Sequence, residues 1–391
     1  MAFQRENQRI AATEILQQLA DAQDIKLDAC TITGTLDLNR LFVKDENFDT
    51  ENLVLHSTDN TKTITLPQAI TFRSCTFEGD VLFAPPWDRP DEIQVIFKRD
   101  AILNSSIFHG QVRFSKAVFH GLAGFDGCTF QKISCFRSAT FTAKAMYRTV
   151  TFNGYGLFNK AVFEKEARFT NTCFAKGANF TKVNFNGITD FTGVYAGSKS
   201  VPVYESVTFA RRRYGDDETF WRFIKQAAQE AGYYQLAGES FYNERCGHFW
   251  KKFRGPAYHE LSKIRKFTRI LLGIRLLPEF VFGRLLFGYG ERPVRVIAAS
   301  ALIILACAFF YASPHASLIF RDNSPTGSQQ LTEFMDGMYF SIITFTTLGF
   351  GDMYPDRADL LTRCVAMFES LSGACMVALF VVCLAKRFSR G

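Results

Sequence analysis

The residues with the clearest chemical potential lie in the short segment 346–352, which reads Thr-Thr-Leu-Gly-Phe-Gly-Asp. It combines two hydroxyls, two glycines at alternate positions and a carboxylate. Gly349 and Gly351 permit backbone torsions that are closed to residues with a Cβ atom. Such a segment can turn its carbonyl oxygens toward a ligand, so its chemistry would be ion binding by oxygen atoms. No grouping of a nucleophile with a base is visible, and we do not expect an enzyme.

Two apolar runs flank this segment, Val294–Ala312 and Leu360–Ala385. Both are long enough to span a bilayer as helices. Non-helical backbone at membrane depth is tolerated only where it lines a pore or is buried in protein. Lys and Arg precede the first run and follow the second, so the positive-inside rule predicts a multi-pass protein of the cell (inner) membrane with both termini in the cytoplasm.

These runs define the elements that must position the segment. We expect an outer helix at 293–313, a pore helix at 333–346, a filter at 347–352 and an inner helix at 359–386, all within a pore domain at 293–391. The pore helix would direct the negative end of its dipole toward a cation in the cavity.

The order of span, loop and span resembles the two-transmembrane potassium channels, and segment 346–352 resembles the Gly-Phe-Gly variants of their filter signature. The resemblance implies a homotetramer in the lipid bilayer, with K⁺ as the permeant ion and no other cofactor or metal. The implied filter residues are Thr347, Leu348, Gly349, Phe350 and Gly351, of which the first four would bind K⁺. The implied supporting residues are Thr346, Asp352 and Glu369.

Glu369 is costly inside a span unless it is paired. We expect it to face protein behind the filter, with a Thr or a backbone N–H as its partner, in a structural or a gating role. Gly373 falls where these channels often carry a hinge glycine, and close packing against a neighbouring helix is an equal alternative. Helical spacing predicts one face that lines the cavity and its cytoplasmic constriction, formed by Gly373, Val377, Val381 and Leu384.

Two departures from the signature keep other functions open. Leu348 stands where Val is usual, and Phe350 stands where Tyr is usual and removes a hydrogen bond behind the filter. A less selective cation channel is therefore one alternative. A membrane-anchored interaction scaffold that conducts nothing is another.

A second pattern dominates the first half of the chain. From Phe108 to Phe191 an aromatic residue recurs at alternating steps of six and five, with a small or β-branched residue two positions before each. Phe72, Phe77 and Phe83 show the same steps, and an insertion interrupts the series around 84–92. No helix or flat strand keeps this period on one face. A coil with four sides and 22 residues per turn fits, with backbones stacked about 4.8 Å apart.

This stretch resembles the pentapeptide-repeat proteins, and Ala178-Asn-Phe-Thr-Lys182 matches their repeat closely. The resemblance implies a right-handed, four-sided β-helix, with bulged corners at the six-residue steps. Some members of that family mimic DNA with an acidic surface. Residues 101–195 hold eleven Lys and Arg against four Asp and Glu, which disfavours that role, and we expect no nucleic-acid partner. The solenoid would hold the tetramer or bind an unknown cytoplasmic ligand or protein.

The complete expectation is a multi-domain chain with a β-solenoid, an α-helical connector and an all-α pore domain with a re-entrant loop. We expect a helical cap at 1–26, built on one polar helix within 1–23. The solenoid would occupy 27–210. The connector at 211–292 would begin with two helices over 216–247, the first closed by Gly232, and would end in a basic amphipathic segment at the membrane surface.

Overall fold

A computed structural model describes residues 2–42, 54–57, 61–84, 92–197, 200–255, 261–320 and 334–388. The chain divides into two compact units, Met1–Ile270 and Leu271–Gly391. Most of the expected insertion at 84–92 and the expected start of the pore helix at 333 lie outside the described residues. The repeating parallel sheets, the connecting helices and the two apolar helices confirm the expected fold class.

The strands of the first unit form four sheets, and each sheet stacks strands from successive coils. Sheet 1 comprises Phe3–Glu6, Ile25–Asp28, Ile70–Arg73, Ala101–Ile102, Ala123–Gly124, Ala145–Met146, Ala167–Arg168 and Thr189–Asp190. Sheet 2 comprises Arg9–Ala11, Thr31–Thr33, Thr76–Phe77, Ile107–Phe108, Thr129–Phe130, Thr151–Phe152, Cys173–Phe174 and Tyr195–Ala196. Sheet 3 comprises Leu36–Asp37, Val81–Leu82, Val112–Arg113, Ser134–Cys135, Gly156–Leu157 and Ala178–Asn179. Sheet 4 comprises Val54–Ser57, Thr61–Leu66, Glu92–Phe97, Val118–Phe119, Thr140–Phe141, Val162–Phe163, Asn184–Phe185 and Thr208–Phe209.

The register of the sheets confirms a coil of 22 residues, because Phe108 pairs with Phe130 and Phe130 with Phe152. The aromatic rings of successive coils stack in columns inside the solenoid. In the column of sheet 2 the ring centroids of Phe108, Phe130, Phe152 and Phe174 are 4.9, 5.0 and 4.9 Å apart. Each buried ring contributes about 2–3 kcal/mol of hydrophobic stabilisation, so the repeat itself provides the core.

The corners within the five-residue steps are tight turns with one residue in the left-handed region. In one of them the amide of Ala117 donates to the carbonyl of Phe114 at 3.1 Å, and Lys116 between them has a φ of +58°. Lys160 and Lys182 take the same place two and three coils later. This geometry is that of a type II turn, which favours Gly or Asn at that position.

Two helices close the solenoid at its ends. Helix α1, Ala12–Ala20, buries Ile15, Leu16 and Leu19 in the first coil. At the other end, helix α2, Glu218–Glu230, places Phe220 against Phe191, with ring centroids 5.2 Å apart. Both helices cover apolar coil ends that water would otherwise reach, as terminal caps of solenoids do.

The prediction of a single helix over 1–23 is wrong for its first half. Phe3–Glu6 and Arg9–Ala11 are strands that pair in parallel with Ile25–Asp28 and Thr31–Thr33. Backbone pairing with the next coil and burial of Ile10 in the solenoid core outweigh the helical period of the apolar residues. The solenoid strands therefore begin at Phe3.

The connector contains the expected pair of helices. Gly232, with a φ of +79°, follows α2, and helix α3 extends over Tyr234–Phe253. Buried acids at the start of α2 fix this hairpin. Glu218 is paired with Arg222 at 2.6 Å and with Lys251 at 2.9 Å.

Asp217, directly before α2, is fully buried. Its Oδ2 atom lies 3.0 Å from Arg212 Nε and accepts a hydrogen bond from the indole of Trp221 at 3.1 Å. Burial of its carboxylate outweighs these contacts and raises the pKa of Asp217 to about 6.

The second unit is helical. Helix α4, Lys263–Pro278, crosses the division between the units, and a π-helical stretch, Glu279–Leu286, follows it. The remaining helices are α5, Pro293–Tyr311, α6, Phe334–Phe345, and α7, Leu360–Phe388. Strands Leu318–Phe320 and Met353–Pro355 pair antiparallel. Helices α5 and α7 are long and apolar enough to span a membrane, and only 22% of the apolar window of each is buried within the chain.

Candidate ion-conduction site

The segment after α6 is anchored to that helix through its backbone amides. The amides of Leu348 and Gly349 donate to the carbonyl of Ile343 at 3.0 and 3.3 Å, and that of Thr347 donates to Thr344 at 3.1 Å. The last carbonyls of a helix have no partner within the helix, and here the filter segment supplies donors to them. The amides thus face α6.

The sign of φ alternates along the same segment. Thr347, Gly349 and Gly351 have φ values of +56°, +48° and +76°, whereas Leu348 and Phe350 between them do not have positive φ. No heavy atom lies within 4 Å of a Cβ built on Gly349 or Gly351, so torsion and not space requires glycine there. Within the described chain no hydrogen bond is made to the carbonyl oxygens of residues 347–350.

Two hydroxyls belong to the segment itself. Thr346 Oγ1 donates to the carbonyl of Ile342 at 2.6 Å, and Thr347 Oγ1 donates to the carbonyl of Thr346 at 2.7 Å. Thr346 therefore supports the end of α6. Thr347 keeps the lone pairs of its hydroxyl for another partner.

The outer end of the segment is fixed by Asp352. Its Oδ2 atom accepts a hydrogen bond from the phenol of Tyr339 in α6 at 2.7 Å, and its Oδ1 atom accepts one from the amide of Met353 at 3.1 Å. Met353 begins the strand that pairs with Leu318–Phe320. Tyr339 was not predicted as a site residue, although a phenol in the largely apolar helix α6 was an available signal.

Glu369 is fully buried where α5, α6 and α7 meet. Tyr311 Oη of α5 donates to its Oε2 atom at 2.8 Å, and Ser341 Oγ of α6 is hydrogen-bonded to its Oε1 atom. The expectation that Glu369 faces protein agrees with this position, but the expected Thr or backbone partner is wrong. Hydroxyls from two other helices take that place, and residues so far apart in sequence gave no signal.

Gly373 packs against the end of the pore helix. A Cβ atom built on it would lie 1.9 Å from the carbonyl oxygen of Phe345. Gly337 gives α6 an equally close approach to α5, since a Cβ there would lie 2.7 Å from the carbonyl oxygen of Ala308. Gly373 is thus closely packed against α6, and α7 is one helix from Leu360 to Phe388. The hinge role of Gly373 stays a prediction.

The four residues of α7 that were predicted to share one face differ in exposure. Gly373 is buried with Glu369, whereas Val377 and Val381 are exposed in the single chain and Leu384 is half-buried. Steps of four, four and three residues keep all four positions within about 80° of arc on a helix of 3.6 residues per turn, so they share one side of α7. A cavity-lining role stays a prediction for Val377, Val381 and Leu384.

Comparison with known proteins assigns this part of the chain. Residues 298–390 match a protein-family model described as "Ion channel". The second unit contains an ion-channel domain. No curated protein and no solved structure gives a significant match to the chain. The match does not include the solenoid, so the resemblance of that region to pentapeptide repeats stays a prediction.

The ion-channel domain leaves an open groove of about 720 Å³ beside the filter segment. Helix α6, the segment after it and α7 all contribute to its walls, which include Thr347, Gly349, Met367 and Leu371. Met367, Phe368 and Leu371 expose 61, 64 and 68% of their surface in the single chain. Large exposed apolar side chains of this kind are typical of a surface that another protein or the lipid covers.

The inner helix is tied to the start of the outer helix at the other end of the ion-channel domain. Lys386 Nζ lies 2.7 Å from Glu291 Oε1 and donates to the carbonyl of Tyr289 at 3.0 Å. Gly288, Tyr289 and Gly290 have positive φ values of +55°, +53° and +85° in succession. Left-handed backbone at Tyr289 costs about 1–2 kcal/mol, which the surrounding contacts must offset.

Proposed function

We propose that this chain is one subunit of a K⁺-selective, homotetrameric ion channel. The observation that carries the proposal is the filter segment, in which the amides face the pore helix and the carbonyls of residues 347–350 have no hydrogen bond within the described chain. Four such segments around one axis would present rings of oxygen atoms in place of the hydration shell of the ion. K⁺ would bind at Thr347, Leu348, Gly349 and Phe350.

The open groove supports the assembly. A filter built from one chain provides only one quarter of each oxygen ring, and the groove beside Thr347 and Gly349 is open and mostly apolar. A neighbouring copy of the same domain would cover it. Native mass spectrometry of the detergent-solubilised protein should therefore find four chains of 44.3 kDa.

Hydrogen bonds that hold the filter in place favour a K⁺-selective pore over a less selective one. Phe350 lacks the hydroxyl that would hold the filter from behind, but the Tyr339–Asp352 hydrogen bond ties the outer end of the filter to α6. The Glu369 contacts hold α6 in turn. A filter that is braced at both ends keeps the spacing of its carbonyl oxygens, which selection between two ions of different size requires.

The Lys and Arg residues that flank the spans give the proposed orientation of the chain in the membrane. The termini and the solenoid would lie in the cytoplasm, where Lys and Arg flank the spans. Helix α4 carries Lys263, Arg265 and Arg275, and its apolar residues Ile264 and Ile274 are 81 and 67% exposed. This pattern fits a helix in the headgroup region that precedes the first span. The solenoid would regulate the pore or hold the tetramer.

The decisive test is the reversal potential of the purified protein in planar bilayers, with K⁺ on one side and Na⁺ on the other. A reversal shifted strongly toward the K⁺ equilibrium potential supports the proposal. A reversal near zero with open current would instead support a non-selective cation pore. A protein without current under any voltage or pH would be either a closed channel that awaits its signal or the membrane-anchored scaffold, and deletion of the solenoid is the experiment that distinguishes them.

Two glycine variants separate the role of the filter from general backbone strain. Gly349→Ala and Gly232→Ala both place a Cβ atom on a residue with positive φ, and neither Cβ would meet another atom within 4 Å. Each change costs about 1 kcal/mol of backbone strain. Gly349→Ala should abolish K⁺ selectivity, whereas Gly232→Ala, in the turn between α2 and α3, should leave it intact. Equal effects of the two variants would refute the filter assignment.

A further inference from the structure

Three fully buried polar side chains meet inside the second unit, and each comes from a different helix. Tyr311 lies in α5, Ser341 in α6 and Glu369 in α7, and each has 0% exposure. Tyr311 Oη is 2.8 Å from Glu369 Oε2. Ser341 Oγ contacts both Glu369 Oε1 and the carbonyl oxygen of Ile304 in α5, the latter at 2.9 Å.

The number of protons in this cluster determines how it can be hydrogen-bonded. A serine hydroxyl donates one hydrogen bond, and both atoms next to Ser341 Oγ are acceptors if Glu369 is ionised. One of the two contacts would then lack a proton. With Glu369 protonated, its O–H donates to Ser341, Ser341 donates to the Ile304 carbonyl, and Tyr311 donates to the other carboxyl oxygen. Only the protonated form of Glu369 provides a hydrogen for each of these contacts.

The lack of a paired cation also favours the protonated form of Glu369. No Lys or Arg in the described chain is paired with Glu369. The titratable groups that face it are Tyr311 and Cys307 of α5, while α6 contributes only the Ser341 hydroxyl. The hydroxyls and the thiol offset only part of the desolvation cost of an ionised carboxylate at this position, and no cation offsets the rest.

We propose that Glu369 is held as a neutral carboxylic acid and acts as a positioning residue for the pore helix. The chain of hydrogen bonds from Glu369 through Ser341 to Ile304 joins the middle of α6 to both spans. Gly373, one turn further along α7, contacts the end of α6 at Phe345. Together the two contacts determine the position from which α6 presents the filter. The effect on conduction rests on the proposed channel function, whereas the protonation state does not.

The protonation state is tested by infrared spectroscopy of the full-length protein in lipid at neutral pH. The wild type should show the carbonyl stretch of a buried protonated acid, and Glu369→Gln should remove it. Glu230→Gln is the matched control, because Glu230 is exposed at the end of α2 and its substitution should not affect this band. Absence of the band from the wild type, or its survival in Glu369→Gln, would overturn the proposal.

The positioning role is tested by the K⁺/Na⁺ permeability ratio of the same variants. Glutamine can donate to Ser341 and accept from Tyr311 as the neutral acid does, so Glu369→Gln should keep the wild-type ratio. Glu369→Ala and Ser341→Ala break the chain and should lower the ratio about tenfold. A Glu369→Gln variant as defective as Glu369→Ala would show that the charge is needed and would overturn the proposal. If the wild type does not select K⁺, the channel function fails while the infrared result still decides the protonation state.

Discussion

The side chain of Tyr147 places a polar hydroxyl inside the apolar core of the solenoid. Tyr147 is fully buried in the aromatic column of sheet 1, where its ring stacks on Phe125 and Phe169 at 4.9 Å each. Its hydroxyl has no hydrogen-bond partner within the described chain, and burial raises the pKa of Tyr147, so the phenol remains neutral. An unpaired buried hydroxyl lowers stability.

Tyr147→Phe should therefore stabilise the protein. The ring column stays intact and the desolvation cost of one hydroxyl disappears, so the unfolding free energy should rise by about 1 kcal/mol. Thermal or denaturant unfolding followed by far-ultraviolet circular dichroism measures this. Tyr155→Phe is the control, because Tyr155 is 50% exposed and its loss of a hydroxyl should change little. A destabilised Tyr147→Phe variant would reveal a partner for the hydroxyl.

Asp217 gives the first unit a pH dependence of defined sign. Its folded-state pKa of about 6 lies above the unfolded value of 3.8, so the folded protein binds more protons between about pH 4 and pH 6. Stability should fall as pH rises through this window, by at most about 3 kcal/mol. The unfolding free energy of the Asp217→Asn variant should not fall with pH in this window. Asp100→Asn, an exposed control, should retain the fall.

At the scale of elements, the contact between α6 and α7 fixes the end of α6 from which the proposed filter segment continues. Gly373 is the closest point of that contact, since any side chain there would overlap the carbonyl oxygen of Phe345. Phe345 is the last residue of α6, and the filter segment follows within two residues. Displacement of this carbonyl moves the helix end that the filter amides bind.

Gly373→Ala should accordingly impair selectivity as well as stability. Overpacking at a tight helix contact costs about 1–3 kcal/mol, and the relief is displacement of the end of α6. We expect a reduced K⁺/Na⁺ permeability ratio and a lower melting temperature of the detergent-solubilised assembly. Ser372→Ala, at the neighbouring position of α7, should change neither quantity much. A Gly373→Ala channel with the wild-type ratio would show that α7 moves instead and that α6 is not displaced.

Elements with a strict period were predictable from the sequence, and contacts between elements were not. The steps of five and six at Phe108–Phe191 follow from the geometry of one coil, and the two spans follow from length and apolarity alone. The strands at Phe3–Glu6 were missed, because pairing with the next coil has no local signature. The partners of Glu369 were missed for the same reason, since Tyr311 and Ser341 come from separate helices.

At the scale of the whole chain, the solenoid predicts a tolerance to deletions of defined length. Removal of residues 145–166 takes out one complete coil, after which Ala167 replaces Ala145 against Ala123 in sheet 1. Each ring column loses one member and none is misplaced. The full-length variant should retain its cooperative unfolding, with a smaller unfolding enthalpy because less apolar surface is buried.

Removal of residues 145–150 alone is the matched control. It takes out a single side of one coil, so every later strand moves by a quarter turn onto the wrong sheet. The alternation of five and six is broken at the same point, and Phe158 no longer stacks on Phe136 as it does now at 5.1 Å. This shorter deletion should unfold the solenoid, although it removes fewer residues. Comparable circular dichroism spectra for both deletions would contradict the coil as the unit of stability.

The stacking of coils between α1 and α2 also means that the length of the solenoid can change only in fixed steps. The separation of the two caps can change only by whole turns of the coil, each adding about 4.8 Å and leaving both cap surfaces unaltered. Duplication or loss of a 22-residue stretch would therefore lengthen or shorten the domain without any new folding problem. Variation in length among proteins of this architecture should come in multiples of that one step.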